Sequence, residues 1–230
     1  MSLQHALIFF ARAPVPGKAK TRLIPELGAE GAAELYRCFL LDTLARDCDE
    51  HPDVLVAVAE PAHLEPVRAL TEEVCPAAKL IVQSGLDLGE RMVNAFKEAF
   101  GRGYTSAVVI ATDTPSLPSA RVSSALALSD YRDLVIGPSL DGGYYLIGLR
   151  KVVPEFFRDV PWGSPAVLVQ TLRWAQALGA KVSLLEPWYD VDTPQDLEVL
   201  RSHLTALHLA GDPLPCPRTW EFLQNLPEEA

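Results

Sequence analysis

"ALIFFARAPVPGKAKTRL" (residues 6–23) joins a short apolar run to a loop with four cations, Arg12, Lys18, Lys20 and Arg22, and no carboxylate among them. The run reads as a buried strand over 6–10, and Pro14, Pro16 and Gly17 then restrict and bend the chain as it leaves the sheet. Runs of the same kind recur at 54–59, 79–83, 107–112, 134–138, 144–149 and 181–186, rich in Val, Ile and Leu as in strands buried on both faces. Helical patterns fill the intervals at 29–50, 62–74, 88–101, 118–129, 164–178 and 194–210. In the third, Leu88, Met92, Ala95, Phe96 and Ala99 share one face. Alternating strands and helices predict an α/β fold, a three-layer α/β/α sandwich with a mostly parallel central sheet. In such sheets ligands bind beyond the carboxyl ends of the strands, where the basic loop lies.

The chain has 230 residues, enough for one substantial core, and reads as one domain over 1–210 with a C-terminal extension, 211–230, packed on it. "GDPLPCP" (211–217) ends the last long helix, and "RTWEFLQNL" follows as a short amphipathic piece. A formal net charge of −10 argues against a nucleic-acid partner, since that affinity rests on neutralising phosphates. The basic loop is therefore a local feature with a small anionic target. No apolar run approaches the roughly 18 residues of a bilayer span, and the first residues lack a basic leader. The expectation is a cytoplasmic protein without a membrane partner. Cys38, Cys48, Cys75 and Cys216 are widely spaced with no CxxC pair, and are expected to be separate structural thiols.

Four residue groups bear on chemistry. The opening loop lacks both the dinucleotide glycine pattern and the earlier glycine of the Walker loop. Lys18, Lys20, Thr21 and Arg22 can still offer charge-assisted donors to phosphate oxygens, the alternative being a solvated turn. In "IATDTPSLP", Asp113 follows a strand directly. It reads either as a helix cap or, if Ser116 and Ser119 do the capping, as a carboxylate free to meet a hard cation. In "GPSLDGGYYLIGL", Asp141-Gly142 is a hairpin signal; functionally, Gly142 and Gly143 would let a ligand approach the backbone, with Asp141 binding it or acting as base. In "WYDVDTPQDL", Thr193 caps a helix that Pro194 opens, and Asp190 and Asp192 are more acids than a cap requires.

Together these groups resemble the nucleotide-diphospho-sugar transferase superfamily, the GT-A (Rossmann-like) fold, over nearly the whole chain. The segments "FARAPVPGKAKTRL", "GLDLGERM", "DTPSLP", "GPSLDGGYYLIGL" and "YDVDTPQDL" are similar to those of a bacterial glycosyltransferase family, some members of which belong to arsenosugar biosynthesis. The first and last are also similar to 2-phospho-L-lactate guanylyltransferase. The resemblance implies a nucleotide site built from Ala11, Arg12, Pro14, Gly17, Lys18, Lys20, Arg22, Gln83, Gly85, Gly89 and Arg91. It implies a Mg2+ or Mn2+ ion on Asp113 and Asp192 with Asp190 beside them; Pro115 stands where a strict DxD motif would place its second acid. Asp141, Lys20 and Arg22 are the implied catalytic groups, and Asp141, Gly142, Gly143 and Trp162 would meet the sugar or acceptor. The implied reaction is glycosyl transfer from a nucleotide-diphosphate sugar. The alternative is nucleotidyl transfer from a nucleoside triphosphate to a small phosphorylated substrate, releasing pyrophosphate.

Overall fold

The computed structural model describes residues 4–226 apart from 49 and 52. Seven strands, β1 (His5–Ala11), β2 (Val54–Val58), β3 (Lys79–Val82), β4 (Ser106–Ala111), β5 (Leu134–Pro138), β6 (Tyr144–Leu149) and β7 (Val182–Leu184), form one sheet in the order β3-β2-β1-β4-β6-β5-β7. Only β6 runs antiparallel, against β4 and β5. The β5–β6 pair is the hairpin that Asp141-Gly142 announces in the sequence. The expected burial of every strand on both faces fails at β3 and β7, where Val82 and Leu184 are exposed. These are the sheet edges, with one neighbour each.

Strand alternation divides the core. Leu7, Phe9 and Ala11 of β1 pack with α1 (Ile24–Cys48), α2 (Leu64–Val74) and α4 (Ser119–Leu128), whereas Ala6 and Ile8 pack with α3 (Leu88–Gly101) and α5 (Val167–Ala177). A third cluster joins Leu35 and Phe39 of α1 to Leu200 of α6 (Pro194–Ala210) and Leu223 of α7 (Pro217–Gln224). Gly28 breaks the start of α1 at φ 71, so its continuous part begins at the expected position.

The C-terminal α7 is tied to α1 through Asp42, which is buried. Asp42 accepts from the Thr219 N–H and hydroxyl, both at 2.8 Å, and from the Arg218 N–H at 3.2 Å. Asp42→Ala strands these donors, and urea unfolding should register a loss of about 3 kcal/mol. A loss below about 1 kcal/mol would mean that α7 is held by its apolar face alone.

The cysteine expectation is corrected. Cys48, at the end of α1, and Cys75, just past α2, form a disulfide with Cα atoms 5.6 Å apart, while Cys38 and Cys216 remain free and buried. The two partners are 27 residues apart, and only the docking of α2 beside α1 brings them together. Reducing compartments keep such pairs as thiols, so the bond persists in an oxidising one.

Candidate active site

β1 lies between β2 and β4, so the loop after Ala11 emerges near the middle of the sheet's carboxyl edge. The Lys18 and Ala19 N–H groups both donate to the Val15 carbonyl, at 3.0 and 3.1 Å, closing a tight turn. Ala13, Ala19 and Leu23 are buried and anchor the turn, leaving Arg12, Lys18 and Arg22 exposed. Lys20 differs from these three. Its backbone is left-handed, φ 46 and ψ 46, a conformation that costs a non-glycine residue about 1 kcal/mol. That twist turns its side chain inward.

The Lys20 ammonium lies 2.5 Å from Asp113 and 2.8 Å from Asp192, with its side chain only 4% exposed against 36% and 43% for the two acids. Asp113 extends beyond β4, and its backbone carbonyl accepts from the Val191 N–H at 3.0 Å, which binds the Asp190–Asp192 segment to the β4 end. From α1, Arg46 forks onto Asp47 and reaches the Thr114 and Pro115 carbonyls at 3.5 and 3.4 Å, steadying the exit from β4. Burial lowers the Lys20 pKa, but attraction to Asp113 and Asp192 outweighs it and the net shift is upward. Lys20 is thus a charged group at neutral pH. Tyr36, buried beneath it, donates to or accepts from Thr112 Oγ1 at 2.9 Å and accepts from the Arg12 N–H at 3.0 Å. Burial, with Asp113 nearby, pushes the Tyr36 phenol upward.

These groups line a pocket of about 310 Å³ whose wall includes Arg12, Lys18, Arg22, Tyr36 and Thr112. A second cavity of about 360 Å³ shares Arg22 and Asp192 with the first and continues past Leu140, Asp141 and Asp190. Between Asp141 and Asp190 stands the Ser139 hydroxyl, 2.5 Å from Asp141 Oδ1 and 2.7 Å from Asp190 Oδ1. One hydroxyl proton serves one carboxylate at a time. Burial is the main reason that Asp190 is pushed up to about 6; Asp141, Asp192 and Asp113 add repulsion, and Ser139 opposes the rise. Asp141 Oδ1 also accepts from the Gly143 N–H at 2.8 Å. Gly142 is at φ 91, and a Cβ there would strike the Pro165 carbonyl, so the chain's own packing already accounts for this glycine.

Other residues implied by the resemblance lie off both cavity walls. Gln83 donates to the Ala57 carbonyl at 2.8 Å, and Arg91 to the Gly85 carbonyl at 3.4 Å, bracing the β3–α3 turn that carries exposed Leu86. Gly89 packs against Phe157 and Trp162, and Trp162 meets Tyr144 edge-on. Neither Ser116 nor Ser119 caps α4. Its N-cap is Pro118, and the Ser116 hydroxyl instead donates to Tyr189 at 2.9 Å. Asp113 is nonetheless free of capping, because it faces Lys20. Thr193 caps α6 as expected, in a reciprocal capping box with Asp196. Tyr36, Thr112 and Ser139 went unnoticed in the sequence, where neutral hydroxyls at strand ends and mid-helix carry no spacing signal.

Among the described residues, no group of three or more His, Cys, Asp or Glu side chains stands together to hold a metal ion. Two carboxylates do converge, Asp113 and Asp192. Magnesium is commonly held by one or two carboxylates, with waters and substrate phosphates completing its octahedron, and this pair fits that donor set. Asp190 is engaged with Ser139 instead.

The DUF2064 family model, described as "Uncharacterized protein conserved in bacteria", matches residues 43–164, more than half of the chain. The "putative nucleotide-diphospho-sugar transferase" of Desulfovibrio desulfuricans G20 is 34% identical, with 97% of this chain and 95% of that one covered and a TM-score of 0.86. A nucleotidyl transferase from Methanothermobacter thermautotroptrophicus superposes at TM-score 0.61 with 15% identity, covering 88% of this chain and 98% of that one. The 4-diphosphocytidyl-2C-methyl-D-erythritol synthase of Anaerococcus prevotii DSM 20548 does so at 0.60 with 10% identity, covering 88% and 96%. These two likenesses establish the fold alone. No curated protein sequence matches the chain. Among the described residues no helix is long and apolar enough to cross a membrane. The chain belongs to the DUF2064 family, and its fold is that of the nucleotide-diphospho-sugar transferases.

Proposed function

We propose that the chain transfers a glycosyl group from a nucleotide-diphosphate sugar to a hydroxyl acceptor, with Mg2+ or Mn2+ held by Asp113 and Asp192. One observation carries this reading: a buried ammonium flanked by two carboxylates, with exposed Arg12, Lys18 and Arg22 around it. The exposed cations give charge-assisted hydrogen bonds to a diphosphate, and Lys20 stabilises the negative charge that grows on the leaving phosphate oxygen. When bound, the divalent cation supplies Lewis-acid stabilisation to that same leaving group. The acceptor oxygen attacks the sugar carbon, the bond from sugar to diphosphate breaks, the nucleoside diphosphate departs, and the hydroxyl proton passes to Asp141. The 34% identity to the Desulfovibrio protein supports the donor class.

Nucleotidyl transfer is the second reading. The number of cations around Lys20 favours it, since a triphosphate carries more charge than a diphosphate. A thermal-shift panel of nucleotide sugars and nucleoside triphosphates, with magnesium or manganese, separates the two. At a concentration about 100-fold above Kd the true donor should raise Tm by about 5–10 °C. A larger rise with a triphosphate would favour the second reading, and no rise with either would remove both.

A further inference from the structure

The second cavity differs in character from the first. The nucleotide pocket is ringed by cations. Among the described residues, the second cavity is lined by four aspartates, Asp141, Asp190, Asp192 and Asp196, and by one cation, Arg22, with Arg22 and Asp192 forming the wall shared with the first. Two apolar side chains border it and are held out towards solvent: Leu140, 73% exposed at the β5–β6 turn, and Val199, 53% exposed on α6. Neither is needed by the core. Both are fixed by structure on either side, Leu140 through its N–H bond to the Trp188 carbonyl at 3.1 Å and α6 through the Thr193–Asp196 capping box.

We propose that this cavity is the acceptor subsite and that the acceptor is a hydroxyl compound with an apolar portion and no phosphate. The inference rests on the transferase reading above and adds the acceptor class to it. A phosphate entering here would face Asp141 and Asp190 across a cavity of about 360 Å³. Divalent metal on Asp113 and Asp192 would leave those two carboxylates with Arg22 as their counter-charge in the cavity, while Asp196 is already held by the Thr193 N–H and hydroxyl at the start of α6. A neutral hydroxyl meets the opposite situation, because carboxylates accept its hydrogen bond and Asp141 stands ready for its proton. Leu140 and Val199 then cover an alkyl or ring face beside the hydroxyl. The same electrostatics select against the phosphorylated substrate that nucleotidyl transfer would require.

The test is saturation-transfer NMR on the full chain with two probes of equal alkyl length, hexyl β-D-glucoside and hexyl phosphate, each with and without magnesium and each of ADP, CDP, GDP, UDP and dTDP in turn. The glucoside should receive at least about fivefold more saturation than the phosphate. Val199→Trp, which fills the cavity from an exposed helix position, should remove the glucoside signal while leaving nucleoside diphosphate affinity unchanged. Val199→Lys should raise the hexyl phosphate signal. Equal or stronger binding of hexyl phosphate to the native chain would overturn the acceptor class. A glucoside signal indifferent to Val199→Trp would overturn the subsite. Diphosphate affinity is read in the same samples, so failure of every one of these diphosphates to bind would count against the transferase reading while the probe ratio still judges the cavity.

Discussion

Asp113→Asn should lower the rate of the proposed transfer by about 10³-fold while leaving the fold intact, because it removes one of two carboxylates in the pocket ringed by Arg12, Lys18 and Arg22 and keeps its shape. Asp113 is 36% exposed, so solvent already screens much of its attraction to Lys20, and the expected stability loss is no more than about 1 kcal/mol. The backbone bond from Val191 to the Asp113 carbonyl does not depend on the side chain and should survive. Steady-state rates with the donor identified by thermal shift, together with Tm of the variant, give the first check. Manganese binding in the presence of nucleotide, followed by water-proton relaxation, gives one independent of turnover. A variant that turned over within threefold of the parent would remove Asp113 from any metal or leaving-group role.

Lys20→Met should have the second largest effect, with an unusual signature. The substitution keeps an unbranched side chain of similar length and deletes the charge, whose nitrogen lies over the Phe39 ring 5.5 Å from its centroid. Asp113 and Asp192 then face each other without a counterion. Removing one partner of a buried ion pair costs about 3–5 kcal/mol, and the partial exposure of both acids brings the expected loss to about 2 kcal/mol. Metal-free nucleotide binding should weaken by more than about 30-fold. Affinity for Mg2+ alone should rise, because two carboxylates are released from the ammonium. Nucleotide and metal affinities moving in opposite directions would identify Lys20 as the cation that keeps the pair together; a parallel fall in both would mean general damage to the loop. The pH dependence follows from the upward shift of Lys20. Its contribution is complete below the unfolded value of 10.5 and is lost only as pH rises through the higher folded value, so stability near neutrality should be flat with respect to this group.

The order of elements was legible because a parallel strand with two neighbours must be apolar on both faces, and continuous Val, Ile and Leu runs record that constraint. At β3 and β7 the constraint lapses, and the sequence does not say which strands are edges. The basic loop was legible as charge, but not as a division of labour. Only the left-handed Lys20 backbone sets the inward ammonium apart from exposed Lys18 and Arg22, and no residue-type preference foretells a left-handed lysine. Asp190 and Asp192 straddle one residue and looked like a pair, yet alternation about Val191 sends Asp192 to Lys20 and Asp190 to Ser139. The Cys48–Cys75 bond depends on helix docking, which spacing does not encode.

The Val191-to-Asp113 backbone bond bears on how this scaffold can be repurposed. Because the seam between the two strand-end segments is sewn by peptide groups, the acids on either side can be exchanged for other residues without unpicking it. Natural drift or deliberate engineering could therefore alter which leaving group the cleft accommodates by rewriting a few side chains, with the surrounding architecture inherited unchanged.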